Sequence, residues 1–183
     1  MSLLASLNRP VVETQPVLRR ILKAMSEPGA AVMLPCTEQW AGISPAATAL
    51  LTTLNEADTP LFIDPMLETS ALRDSLHRNN GAPLTSEQPA AFALLHSDSD
   101  PDLAAICAPG ATVILEVPAL NGGLTPRLRG PGIQERRAIA PQLPPKTLAF
   151  LREWPLNGQG VNLMLTCGEM MMVLPRTAQV AVC

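Results

Sequence analysis

Ala111-Thr112-Val113-Ile114-Leu115-Glu116-Val117 decides how this 183-residue chain is read. The run alternates in part and is β-branched at Thr112, Val113 and Ile114, which marks a strand. Asn121-Gly122-Gly123 follows as a turn, and Leu124 to Leu128 is expected to return as the hairpin partner of that strand. Gly130-Pro131-Gly132 then breaks it. Further on, Val161 to Thr166 and Met170 to Leu174 are two apolar runs joined by Cys167-Gly168-Glu169, which predicts a second hairpin.

Upstream of residue 110 the punctuation is proline, 19 residues in all, roughly twice average usage. Prolines end elements and stiffen short connections, so their positions delimit the elements. Thr14-Gln15-Pro16 is expected to open a helix running to about Ser26, with Val17, Ile21, Ala24 and Met25 on one face and Arg19, Arg20 and Lys23 on another. Pro28-Gly29 stops it, and Ala30 to Leu34 reads as a short strand. Ser44-Pro45 supplies an N-cap and a first-turn proline for a helix with an Ala47, Leu50, Leu51, Leu54 stripe. Pro60 to Ile63 is a short buried strand closed by Asp64-Pro65, Thr69 to about Leu76 a helix, and Ala90 to Leu95 an apolar run. A last helix is expected from about Pro145 to Trp154. Helices alternating with short buried strands, followed by hairpins, give an α/β fold, a mixed β-sheet flanked by helices, in one domain over residues 1–183.

Hydrophobic residues make up 47% of the chain and charged residues 16%, against roughly 25% charged in an average soluble domain. The shortfall requires either a large core or apolar surface covered by a partner. A net charge of −3 argues against bulk binding of nucleic acid. No stretch approaches the roughly 20 apolar residues of a membrane span, and the start lacks the basic segment of a signal peptide. Cys36, Cys107, Cys167 and Cys183 form neither a CxxC nor a zinc pattern, so the expected setting is the reducing cytoplasm. With only His77 and His96, a three-histidine metal site is excluded, and no metal ligand set is assigned. Lys23 and Lys146 are the only lysines available for a Schiff base. No phosphate-binding P-loop, nucleophile elbow or zinc-protease motif occurs, and no catalytic residue is assigned.

One cluster carries chemistry. Arg127 and Arg129 are two apart, so on a strand they share a face and could fork around a phosphate or carboxylate. Gly130-Pro131-Gly132 next to them could let backbone N–H groups form an anion nest, and Arg136-Arg137 follow. The alternative is a solvated face neutralised by Glu135. Arg176, after Val173-Leu174-Pro175, is either an anion or partner contact or a cap on the strand end. His77, with Arg78 and Asn80 in an expected loop, has the chemistry of a general acid–base but no assignable partner; a histidine answering a helix dipole is the simpler reading. Met170-Met171-Met172 reads as core with one exposed methionine.

The order of several short blocks resembles the PhnH family, the H subunit of bacterial carbon–phosphorus lyase. These are Leu18-Arg19-Arg20-Ile21-Leu22-Lys23-Ala24-Met25-Ser26-Glu27-Pro28-Gly29, Asp58-Thr59-Pro60, Asn80-Gly81-Ala82-Pro83-Leu84, Pro109-Gly110-Ala111-Thr112-Val113-Ile114-Leu115, Leu128-Arg129-Gly130-Pro131-Gly132-Ile133, Ile139-Ala140-Pro141-Gln142-Leu143, Leu165-Thr166-Cys167-Gly168-Glu169 and Leu174-Pro175-Arg176-Thr177. The resemblance implies a fold similar to the large domain of pyridoxal-phosphate transferases without a cofactor site. It further implies a subunit of a complex with G, I and J subunits, assisted by an L subunit, in alkylphosphonate catabolism. There the G, H, I and L subunits couple a phosphonate to the ribose C1 of ATP with release of adenine. It implies self-pairing into a homodimer in isolation, and no cofactor. Arg127, Arg129, Arg136, Arg137 and Arg176 are the expected anion- or partner-binding residues. Two departures from the family pattern stand out: Leu18, where an aromatic residue is common, and the three methionines at 170–172.

Overall fold

The structure, a computed structural model, describes residues 11–35, 38–79, 81–153 and 160–181, and side chains from residue 15 onward. Five helices, α1 (Val11–Ser26), α2 (Pro45–Leu54), α3 (Ser70–Asn79), α4 (Leu103–Ile106) and α5 (Pro145–Arg152), accompany ten strands. Seven strands make the main sheet: β1 (Val32–Met33), β2 (Leu61–Ile63), β3 (Leu84–Thr85), β4 (Ala90–His96), β5 (Cys107–Glu116), β8 (Asn162–Cys167) and β9 (Met170–Leu174). Their order is β1-β9-β8-β5-β4-β2-β3. From β8 to β3 neighbours run parallel, while β9 runs against β8 and β1 against β9, so the sheet is mixed. A second, antiparallel sheet has the order β10-β6-β7, with β6 (Arg127–Arg129), β7 (Arg137–Ala138) and β10 (Gln179–Ala181).

The period of two along each central strand sorts its side chains onto two faces. Leu94, Ile114, Met164 and Val173 point to one side, where Val17, Ile21 and Ala24 of α1, Leu50 and Leu51 of α2 and Leu72 and Leu76 of α3 cover them. Leu95, Val113, Leu115, Leu163 and Leu165 point to the other, under Leu103 of α4, Leu151 of α5, and Leu128 and Ile139 of the small sheet and its margin. Parallel strands need cover on both faces. Here the second face is covered by two short helices and by the small sheet.

The expected hairpin between β5 and Leu124–Leu128 does not form. β5 lies in the middle of the main sheet, with both edges taken by parallel partners β4 and β8. Arg127-Leu128-Arg129 has a single apolar residue and one face to bury, which suits a small sheet lying on the core and not its centre. The hairpin around Cys167-Gly168-Glu169 does form, as β8 and β9, with Leu163 opposite Leu174. Met171 and Met172 are buried, and Met170, where an exposed methionine is expected, is half-buried.

Ser44 caps α2 as the sequence indicates: its side chain accepts the Ala47 N–H at 3.0 Å, and Pro45 occupies the first turn. Two boundaries differ. α1 begins at Val11, placing Pro16 inside the helix, and α3 continues to Asn79, so His77 and Arg78 lie in its last turn and not in a loop. Cations there are favoured by the carbonyl end of the helix, and Arg78 Nε donates to the Asp74 carbonyl at 3.3 Å. Trp154 and Asn80 lie outside the described residues.

Candidate functional site

Arg127, Arg129 and Arg136 converge. On β6, Leu128 points inward and is fully buried, which turns both flanking arginines outward onto one face. β10 pairs with β6 so that Gln179 faces Arg129 and Ala181 faces Arg127. On the other side Ala138 faces Arg127 and Arg137 faces Leu128. Arg136 immediately precedes β7 and lines the same cleft as Arg127 and Arg129. The outer face of the sheet therefore carries Gln179 beside Arg129, next to a row Ala181, Arg127, Ala138. The alanines leave room, and a cleft of about 250 Å³ opens between Arg127, Arg129, Arg136, Gln179, Val180 and Ala181. Among the described residues no carboxylate forms an ion pair with any of the three guanidiniums; Arg73 pairs with Glu68 instead. Glu135, adjacent in sequence, is exposed and does not neutralise them.

Arg137 points the other way. Its Nη1 donates to the carbonyls of Glu27 at 3.2 Å and Pro28 at 2.9 Å, so it caps the exit of α1. The neighbouring glycines serve the same junction. A Cβ on Gly132 would run into the Ser26 carbonyl oxygen, and one on Gly29 would meet Ile139 Cγ2 at 2.7 Å and Leu128 Cδ1 at 2.9 Å. Gly130-Pro131-Gly132 thus packs its Cα atoms on carbonyl oxygens, of Ser26 and of Thr177, and closes on itself through Ile133 N–H to the Gly130 carbonyl at 3.1 Å. Those neighbours do not make an anion nest. Arg176 is also apart from the cleft: its backbone N–H is held by Asn162 Oδ1 at 3.1 Å, and its guanidinium lies over Gly110. Five candidate arginines resolve into a cluster of three, one helix cap and one outlier.

A second polar centre lies at the carboxyl ends of the parallel strands; of its residues only His96 is a candidate in the sequence, and a weaker one than His77. Asp64 ends β2, His96 ends β4, Glu116 ends β5, and Thr166 is its neighbour on β8. Asp64 is buried and accepts N–H groups of Met66 at 3.0 Å and His96 at 3.1 Å, and also the Ser99 hydroxyl. His96 Nδ1 accepts the Asp98 N–H at 3.0 Å, which places any proton of the neutral ring on Nε2. Glu116 is buried, and its Oε1 accepts the Ser44 N–H at 2.9 Å at the mouth of α2. Burial pushes the Glu116 carboxyl above its ordinary value, against the lowering effect of hydrogen bonds from Ser44 and Thr166 and of the nearby His96. Ligands of open α/β sheets bind outside the carboxyl ends of the strands. Here those ends are tied together by the chain's own carboxylates. The signal for them was available: each polar residue directly follows an apolar run, at Ile63-Asp64, Leu95-His96 and Leu115-Glu116.

His77 lines a shallow depression with Ala41, Asp74 and Ser75. Lys23 and Lys146 are both exposed. Among the described residues no group of three His, Cys, Asp or Glu side chains is placed to hold a metal ion, and no helix is long and apolar enough to cross a membrane.

The comparisons agree with the blocks read from the sequence. The model of the family described as bacterial phosphonate metabolism protein (PhnH) matches residues 5–181. The chain belongs to that family. Over 93% of its length it is 30% identical to the alpha-D-ribose 1-methylphosphonate 5-triphosphate synthase subunit PhnH of Rhizobium meliloti (strain 1021), covering 91% of that protein. Over 91% of its length it is 32% identical to the putative C-P lyase subunit protein HtxG of Stutzerimonas stutzeri, covering 85% of that protein. The PhnH blocks, scattered in sequence, meet pairwise in the fold. Ser26-Glu27-Pro28-Gly29 meets Gly130-Pro131-Gly132 and Arg137, while Gly110 meets Arg176.

Proposed function

We propose that this PhnH-family chain is the H subunit of a carbon–phosphorus lyase core complex acting in alkylphosphonate catabolism in the cytoplasm. With G, I and L subunits it supports transfer of a phosphonate onto the ribose C1 of ATP with release of adenine, and a J subunit belongs to the same assembly. Its role is structural, as an assembly subunit that pairs with itself when alone. The single observation that carries this reading is the match, over nearly the whole of both chains, to a relative named as a subunit of that synthase. The low charge content supports it, because surface covered by partners needs little charge. The kinship with the large domain of pyridoxal-phosphate transferases belongs to the same proposal, and the mostly parallel seven-stranded sheet supports it.

A second reading is favoured by one observation, the unneutralised arginine cleft: the chain contributes phosphate-contacting residues to the active complex. The two separate by experiment. Arg127→Glu with Arg129→Glu is introduced, and assembly and turnover are scored independently. Turnover lost with assembly intact supports the second reading; assembly lost supports the first.

A further inference from the structure

We propose that the cleft between Arg127, Arg129 and Arg136 binds a phosphate chain, two or more linked phosphoryl groups, as found in nucleoside di- and triphosphates. This deepens the second reading above and rests on it. Three guanidiniums and the Gln179 carboxamide line one concavity of about 250 Å³, and among the described residues no acid lines it. Three like charges held together on one sheet face repel one another, and among the described residues no carboxylate pairs with any of them. The platform is stiff: Leu128 anchors β6 in the core, and ladders to β10 and β7 hold the strand that carries Arg127 and Arg129.

The spacing selects a linked anion. Arg127 and Arg129 are rooted about 6.6 Å apart along the strand, and Arg136, just before β7, lines the same cleft. Each guanidinium offers a planar fork for two oxygens, so one phosphate satisfies one or two of them while a chain reaches all three. The concavity is small, which suits a compact polyanion better than the broad face of an acidic protein segment. Among the described residues nothing in the lining reads a base: there is no aromatic ring, and Gln179 is the one neutral polar side chain. Recognition therefore stops at the phosphates.

The test is calorimetric titration of the full chain with tripolyphosphate, ATP, GTP and inorganic phosphate, at low and at physiological salt. Tripolyphosphate, ATP and GTP should bind within about 3-fold of one another and at least 10-fold tighter than phosphate. Arg127→Ala with Arg129→Ala should weaken tripolyphosphate at least 10-fold. Arg19→Ala with Arg20→Ala, on the exposed face of α1, should leave it unchanged. Equal loss in both double variants, or ATP bound far tighter than tripolyphosphate, overturns the proposal. So does a chain that fails to bind tripolyphosphate yet loses complex assembly on charge reversal, since the cleft is then a protein-docking surface. Membership of the complex is read independently by co-purification, so failure of the cleft and failure of the subunit assignment remain distinguishable.

Discussion

Arg137 donates to the carbonyl oxygen of Pro28 at 2.9 Å, joining residues 109 apart in sequence. This bond, with its companion to Glu27, ties the small sheet to the end of α1 and so fixes the platform on which Arg129 and Arg136 stand. A hydrogen bond from a charged donor contributes about 1.5–3 kcal/mol net. Arg137→Ala should therefore lower unfolding free energy by about 2 kcal/mol in urea titration, whereas Arg136→Ala should change it by less than about 0.5 kcal/mol. Equal effects would show that the cap is idle.

Gly132 and Gly42 share almost the same backbone, φ +84° and φ +83°, but not the same surroundings. A Cβ on Gly42 meets nothing within 4 Å, while one on Gly132 meets the Ser26 carbonyl. Gly42→Ala should cost only the left-handed strain, about 1–2 kcal/mol. Gly132→Ala adds a backbone collision and should cost at least about 3 kcal/mol, or leave the protein insoluble. Thermal denaturation of the pair measures the difference directly.

Glu116 carries a pH signature. Its folded-state value is raised above 4.5 by burial, so between the unfolded and folded values the native state holds the extra proton. The stability this group contributes is present below the unfolded value and is lost as pH rises through the folded value. Glu116→Gln keeps an acceptor for the Ser44 N–H and removes the charge. The stability of the variant relative to the parent should grow as pH rises from about 4 towards 7. A flat difference across that range would contradict the assignment.

Cys107 and Cys167 should react very differently. Burial, with a smaller contribution from Asp102, pushes the Cys107 thiol up to about 12, so almost no thiolate forms at neutral pH. Cys167 is half-buried at the turn between β8 and β9. Iodoacetamide labelling read by peptide mass should modify Cys167 in the native protein and Cys107 only on unfolding. Native labelling of Cys107 at a comparable rate would refute the packing around β5.

How far the sequence carried the fold depends on the kind of signal. The Ser44-Pro45 helix start and the β8–β9 hairpin were legible because both are local: a cap with its proline, and two apolar runs around a glycine turn. The partner of β5 was not. Its neighbours β4 and β8 arrive by parallel pairing from opposite sides in sequence, and no turn motif announces them. The arginine cluster was half legible. A spacing of two puts Arg127 and Arg129 on one face, but pairing with β10, about fifty residues on, builds the cleft. That Arg137 turns away from Arg136 follows from strand alternation. That its target is the end of α1 is a tertiary fact. The glycines misled because φ > 0 and close approach serve a nest and a tight backbone crossing alike. Only the neighbouring carbonyl oxygens tell them apart.

The most direct test of the account is co-purification of the tagged chain with G, I and J subunits from its own source, followed by native mass determination. The account predicts a stable heteromeric assembly containing this chain in fixed stoichiometry. A homodimer emerging alone, with every partner washed away under conditions that keep the other subunits together, would contradict it.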